Sequence, residues 1–488
     1  MAENSKQGEI QIHVGPRPES RSAEPAAPFR VLVAADLMGR SPRKPLELRR
    51  PRLVDRDNLE DLLERLAPEL SLEISSGAPP VQLRFREMDD FHPDPLLDPL
   101  EKWLDQHGDA LRSVETEAPP KSAEETATQE VAIEDPPSSQ TEAPPATEAG
   151  LLDQILDASE GGQKSETRKP PPPKPLPDEM MESIVAPHRV AKPDPRETLL
   201  QGNREARLGE LLRRLLHHPE FQALESVWRG LRWLVRNVET DADFQIHVLD
   251  LSREEIDEPE TAKALFRPEP GEPHWTAVTA LHFFHPTDDD VSILTHLAEE
   301  AAAAGTPFIT GATDAWVGCG RLADTPDPDD WADFPEPQGW NELRARDDAG
   351  YLGLALLRFL LRLPYGAKTD PVDELSDFEE MANPPRHEDH LWGHPGLACA
   401  KLLCDAFRRS GWGFRPGEVL DIDGLPVFVY QRDGESVATP TAEFYLTERA
   451  ATRILKAGFM PLLSFKHQDR IRLARFQSIA APVVGSVG

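Results

Sequence analysis

The chain has 488 residues, with 53 Lys or Arg against 86 Asp or Glu, a formal charge of −33 at pH 7. Such a surface repels nucleic acid and anionic membranes, and leaves basic surfaces or assembly partners as the better fit. Three cysteines, Cys319, Cys399 and Cys404, are too few for a disulfide framework and none lies in a C-x-x-C motif, which points to a reducing compartment.

The opening MAENSKQGEI has no basic segment followed by an apolar one, so no secretory signal is expected. The most apolar run, LGLALLRFLLRL from Leu352 to Leu363, carries Arg358 and Arg362. It is about 12 residues long, whereas a spanning helix needs roughly 20 apolar residues. The expectation is a cytoplasmic protein with no membrane insertion.

Residues 1–26 are polar and acidic without periodicity and read as a disordered tail. Residues 27–113 read as a small α/β domain. Its first run, FRVLVAADLMGR, predicts a buried strand ending in a turn. Asp57 and Asn58 then offer helix caps before Leu59, Leu62, Leu63 and Leu66, which share one helical face. VQLRFREM alternates with period two, as a half-buried strand does. In residues 114–195 Pro, Glu, Ala, Thr and Ser dominate, including KPPPPKPLP, and such text buries too little apolar area to offset its chain entropy. This is a linker with one amphipathic island, LLDQILDAS at 151–159, where Leu151, Leu152, Ile155 and Leu156 share a face. The island reads equally as a helix that docks back on a domain and as a short recognition motif for another protein.

Residues 196–488 read as a second, larger mixed α/β domain. Pro219 opens a helix on which Phe221, Leu224, Trp228, Leu231 and Val235 repeat at helical spacing. FQIHVLDLS, WTAVTALHFF and TPFITGAT predict strands, and the helix between the last two, stopped by Gly305, implies a crossover and a partly parallel sheet. A long helical stretch is predicted over about 339–363, ending at Pro364. Helix GLACAKLLCDAFRRSG, strands LPVFVYQ and AEFYLT, and helix ERAATRILKAG follow.

His387, His390 and His394 in RHEDHLWGHP form the most conspicuous candidate site, since a four-residue step brings two imidazoles together on a helix for a metal. Gly393 and Pro395 flank His394 and disfavour a regular helix there, so a loop with capping side chains is the competing reading. No phosphate-binding loop is present, because Gln163 stands in EGGQKS where a glycine is needed, and no G-x-S-x-G elbow occurs. Cys319 in VGCG reads as a small buried thiol, and the acidic runs at Asp288 to Asp290 and at Asp327, Asp329 and Asp330 as solvated charge. No catalytic residues, cofactor or resident metal are expected, which favours a structural or interaction protein over an enzyme.

Several stretches carry a family resemblance. FRVLVAADLMGR, VDRDNLEDLLERLAPEL and LRFREMDDFHPDPLL, with Asp90, Phe91, His92 and Pro93 in a D-F-x-P element, resemble the small sheath subunit of type VI secretion systems, TssB or VipA. LLHHPEFQALESVWRGLRWLV, AAAAGTPFI, RARDDAGYLGLALLRFLLRLPYG, HEDHLWGHPGLACAKLL and GFMPLLSFKHQDRIRLARFQSIAAP resemble the large subunit, TssC or VipB. The resemblance implies a fusion of both contractile-sheath subunits through the acidic linker. The implied partners are other sheath subunits, the Hcp inner tube, baseplate proteins and the ClpV-type AAA+ ATPase, with Leu151, Leu152, Ile155 and Leu156 as the unfoldase docking face. It also implies Trp228, Leu391 and Trp392 as buried anchors.

The large subunit ordinarily continues beyond the QSIAAP region into strands that interlock neighbours, and the small subunit has its own strand-exchanging end. Both are expected to be missing from this chain, which keeps a sheath-derived adaptor regulating sheath or baseplate assembly open beside the sheath itself. In the family the histidine stretch runs approximately H-E-D-Y-L-W-G-N. Only His387 then falls on a family position, which leaves the metal-dependent enzyme at His387, His390 and His394 as the least favoured alternative.

Overall fold

Phe29 to Ala35 is buried at every position, and a strand buried on both faces belongs in the interior of a parallel sheet. The computed structural model describes residues 27–75, 77–114, 195–268, 271–319, 322, 325 and 327–480, and places that strand, β1, between two strands of the larger segment. On one side it pairs in parallel with β5 (Phe244–Asp250), from Phe29 opposite Phe244 to Ala35 opposite Asp250. On the other it pairs in parallel with β6 (Ala277–Phe284), Val31 opposite Ala277. The two folded segments expected on either side of the linker therefore share one sheet, and belong to one compact unit.

The other elements follow in chain order: β2 (Arg52–Val54), α1 (Leu59–Leu66), β3 (Glu69–Leu72), β4 (Val81–Arg84), α2 (Pro93–Val114), α3 (Pro195–Leu216) and α4 (Pro219–Asn237). After β5 come α5 (Arg253–Ile256), α6 (Pro259–Phe266), β6, α7 (Asp288–Ala304), β7 (Phe308–Ala312), α8 (Trp340–Arg344), β8 (Leu352–Leu356) and β9 (Phe359–Leu360). The rest comprises β10 (Trp392–Gly393), α9 (Pro395–Ser410), β11 (Asp421–Ile422), β12 (Val429–Arg432), β13 (Glu435–Ala438), α10 (Glu448–Lys456), β14 (Phe459–Ser464) and β15 (Ile471–Leu473).

Among the described residues the main sheet runs β11-β15-β14-β8-β7-β6-β1-β5-β2. The six strands from β14 to β5 are parallel, and antiparallel β2 and β15 flank them. Helices cover both faces. A Cβ on Gly311 would meet His394 at the start of α9, whereas Phe308, an odd number of residues away and so on the other face, meets Phe266 of α6 at 5.9 Å. Gly305 ends α7 at φ +64°, a left-handed conformation open to glycine without strain.

Four expectations need correction; Asp290, expected as solvated charge, is buried, accepts from the His285 N–H (2.5 Å) and pairs with Arg253. The helix expected over 339–363 is α8, then a single 3-10 turn at Asp347–Tyr351, then β8 and β9. LGLAL is buried at all five positions between β7 and β14, and a run that is apolar on every side carries no period to separate helix from interior strand. AEFYLT forms no strand; Ala442 makes one isolated bridge to Phe359. Asn58 does stand at the N-cap of α1, but its side chain accepts from the Asp55 N–H (3.0 Å) instead of capping the helix.

Candidate functional site: the seam between the two folded segments

The seam is built first from apolar side chains. Phe85 and Phe91 stack at 4.3 Å with their planes 9° apart, and Phe221 of α4 closes on both at about 6 Å. Trp228, one α4 turn beyond Leu224, is fully buried and donates its indole N–H to the Leu37 carbonyl at the end of β1 (3.1 Å). Polar groups then fix the register. Asp250, at the end of β5, accepts from the Leu37 N–H (3.0 Å) and from Arg43 Nε (3.2 Å). Arg49 reaches the Asp250 carbonyl (2.7 Å) and clamps Glu255, whose hydrogen bonds from Arg49 hold its carboxyl down at about 2. Asp94 accepts from the Asp373 N–H (2.9 Å), so α2 is tied to the 364–380 segment.

Behind the seam lies a buried ion network that sequence reasoning did not locate. Arg362 Nε lies 2.9 Å from Glu225 and Nη1 lies 2.7 Å from Glu380; neither carboxylate side chain has any exposure. Arg229 also reaches Glu225 (2.6 Å) and donates to the Tyr365 hydroxyl (2.7 Å), whose backbone N–H donates to Glu380 (2.7 Å). Burial alone would raise the Glu380 carboxyl, but Arg362 and the hydrogen bonds outweigh it and hold it at about 2. The legible signal was Glu225, which interrupts the apolar stripe of α4 between Leu224 and Trp228.

The three candidate histidines have separate roles. His387 Nε2 lies 3.0 Å from Glu443 and its ring stacks on Trp392 and Phe444. His390 is buried beside Trp392 and Phe428. His394 caps α9: its Nδ1 accepts from the Gly396 N–H (3.1 Å), which leaves the proton on Nε2 to be donated to the His282 carbonyl (2.9 Å). Both nitrogens are thereby occupied. Among the described residues no group of three or more His, Cys, Asp or Glu is placed to hold a metal ion. Burial pushes the Cys399 thiol up to about 12 and Cys319 up to about 11, which leaves both protonated and poorly nucleophilic near neutral pH.

Trp228, Leu391 and Trp392 are all buried, and Trp392 is held at both ends, its indole donating to the His387 carbonyl (2.9 Å) and its own carbonyl accepting from Ser226 (2.7 Å). Leu151, Leu152, Ile155 and Leu156 lie outside the described residues.

A cleft of about 790 Å³ opens at the carboxyl ends of β1 and β6, where the chain leaves β1 towards β2 and leaves β6 in the opposite direction towards β7, a position where open α/β sheets commonly bind ligands. Its cations are already matched: Arg40 with Glu220 (2.5 Å), Arg43 with Asp36 and Asp250, Arg253 with Asp257 and Asp290, Arg358 with Glu443 (2.6 Å). No helix among the described residues is long and apolar enough to cross a membrane.

Fold and seam define a doubly wound α/β protein in which an N-terminal segment supplies an interior strand to a sheet built by the rest. The family of the VipB tail sheath N-terminal domain matches residues 203–480, and the type VI secretion system VipA family matches residues 2–135. The chain is 34% identical over 302 residues to the type VI secretion system sheath protein TssC1 of Pseudomonas aeruginosa, a match covering 57% of this chain and 60% of that protein. The chain belongs to the type VI secretion tail sheath family, with small- and large-subunit segments fused in one polypeptide.

Proposed function

We propose that this chain is a structural protomer of a type VI secretion sheath, which assembles in the cytoplasm with other sheath subunits around an Hcp tube on a baseplate. It would drive the tube outward by changing between two packings. The supporting observation is the sharing of one sheet: the VipA-type segment places β1 between β5 and β6 of the VipB-type segment, so both move as one body. Work in such a device comes from the difference in interface energy between two arrangements, and requires no bond to be broken in the chain. Inward-paired arginines, protonated buried thiols and histidines engaged in caps and stacks support a protein that acts without catalysis. The segment with Leu151, Leu152, Ile155 and Leu156 is proposed as the docking face for a ClpV-type unfoldase after contraction.

Co-expression with an Hcp protein, followed by electron microscopy, tests the reading. Sheathed tubes containing this chain are expected. A chain that stays monomeric and shortens the tubes of complete sheath subunits would replace the sheath role by that of a regulator.

A further inference from the structure

A second cavity, of about 330 Å³, lies where α8 meets α10 and the start of β14. Its floor is aromatic: Trp316 and Trp340 sit 4.5 Å apart, and Trp340 and Phe459 lie 6.0 Å apart with planes 11° from parallel. Phe334 forms a half-buried lip. Around this floor stand Arg344, Arg453 and Lys456, with Glu336 as the lone carboxylate of the lining.

These cations differ from those of the larger cleft. Arg344 Nε donates to the Ile479 carbonyl (2.8 Å), and Arg453 donates to the Pro328 and Ala332 carbonyls (2.6 Å each). Among the described residues no carboxylate lies within 4.0 Å of either guanidinium or of the Lys456 ammonium. Glu336 directs one oxygen to the Asn341 side chain (3.1 Å). The Trp340 indole N–H donates to no group among the described residues. Burial lowers the Arg344 pKa, opposed by Glu336, as expected of a desolvated charge without a close counterion. In a chain where carboxylates outnumber cations 86 to 53, three cations without carboxylate partners around an aromatic recess mark a place where negative charge is missing.

We propose that this pocket docks an acidic segment of a neighbouring sheath chain, seating an aromatic or aliphatic side chain against the half-buried Phe334 lip and a flanking carboxylate among Arg344, Arg453 and Lys456. The source of the segment rests on the sheath reading above. Copies charged at −33 repel through most of their surfaces, so a cationic recess is where an acidic neighbour gains attraction and register. The buried aromatic floor holds the cations in place, Arg344 lying over the Trp340 ring and Arg453 over Phe334.

The test titrates the full chain with a fluorescein-labelled synthetic peptide of alternating glutamate and phenylalanine, and with its lysine-for-glutamate counterpart, read by anisotropy. Saturable binding of the acidic peptide alone is expected, weakened at least about tenfold in Lys456→Glu, which alters an exposed side chain, and by raised salt. Arg344→Gln provides a second variant. No saturable binding to the unaltered chain, or equal binding by both variants, overturns the pocket. Electron microscopy reads the source separately: peptide binding without any tubes removes the sheath chain as the donor, and tubes formed equally well by Lys456→Glu overturn the docking role.

Discussion

The Trp228 indole donates to the Leu37 carbonyl at 3.1 Å, joining the middle of α4 to the turn two residues beyond β1. The contact is fully buried, so a lost donor leaves the carbonyl without a partner or water. Trp228→Phe is expected to lower unfolding stability by about 1–3 kcal/mol and Trp228→Ala by about 3–5 kcal/mol, the latter adding a cavity. Urea unfolding measures both, and a Phe variant as stable as the unaltered chain would show that this bond does not hold the seam.

The position of β1 makes a stronger demand. All seven of its residues register with β5 and four also with β6, so removing the first segment opens the sheet through its middle. A protease site introduced between residues 114 and 195, then cut, is expected to give two fragments that co-elute in size-exclusion chromatography and separate only in denaturant. Separation under native conditions would refute the shared sheet.

Much of this was legible in the sequence, and the failures have a common cause. Strands bounded by polar turns and helices with a clear apolar stripe, such as α4 with Phe221, Leu224 and Trp228, carry their own period. LGLAL does not, and its identity as β8 depends on strands β7 and β14, distant in sequence. The histidines were conspicuous by type, yet caps and stacks use them. In the sequence Arg362 reads only as a charge interrupting an apolar run, because its partners Glu225 and Glu380 lie 137 and 18 residues away. The uncompensated cations at Arg344, Arg453 and Lys456 come from separate stretches and share a pocket only after folding.

The Arg362 network has an asymmetric energetics. Arg362→Met leaves two fully buried carboxylates without their shared cation, a change expected to cost about 3–5 kcal/mol. Because Arg229 still pairs Glu225, replacing the other carboxylate as well, as Arg362→Met with Glu380→Gln, removes the uncompensated charge and is expected to restore much of that loss in urea unfolding. A double variant no more stable than the single one would locate the cost in packing.

Acid sensitivity should begin earlier than carboxylates alone would produce. Burial is the first cause that lowers His247, His282 and His390 to about 4 and His394 to about 3, from 6.5. Unfolded, these rings take up protons below pH 6.5 while the folded chain does not, so stability falls as pH drops from about 6.5 towards 4 and 3. Glu380 and Glu443, held at about 2 against 4.5, add a second loss as pH falls from about 4.5 through 2. At His394 the geometry acts in the same direction as burial: Nδ1 accepts from the Gly396 N–H, and a proton there would face that donor. His394→Asn keeps an N-cap acceptor for α9 and removes one titrating ring. Its urea stability between pH 4 and 6 is expected to fall less steeply than that of the unaltered chain, by about 1.4 kcal/mol per pH unit for the one proton removed. An unchanged slope would show that His394 titrates in the folded chain much as it does in the unfolded one.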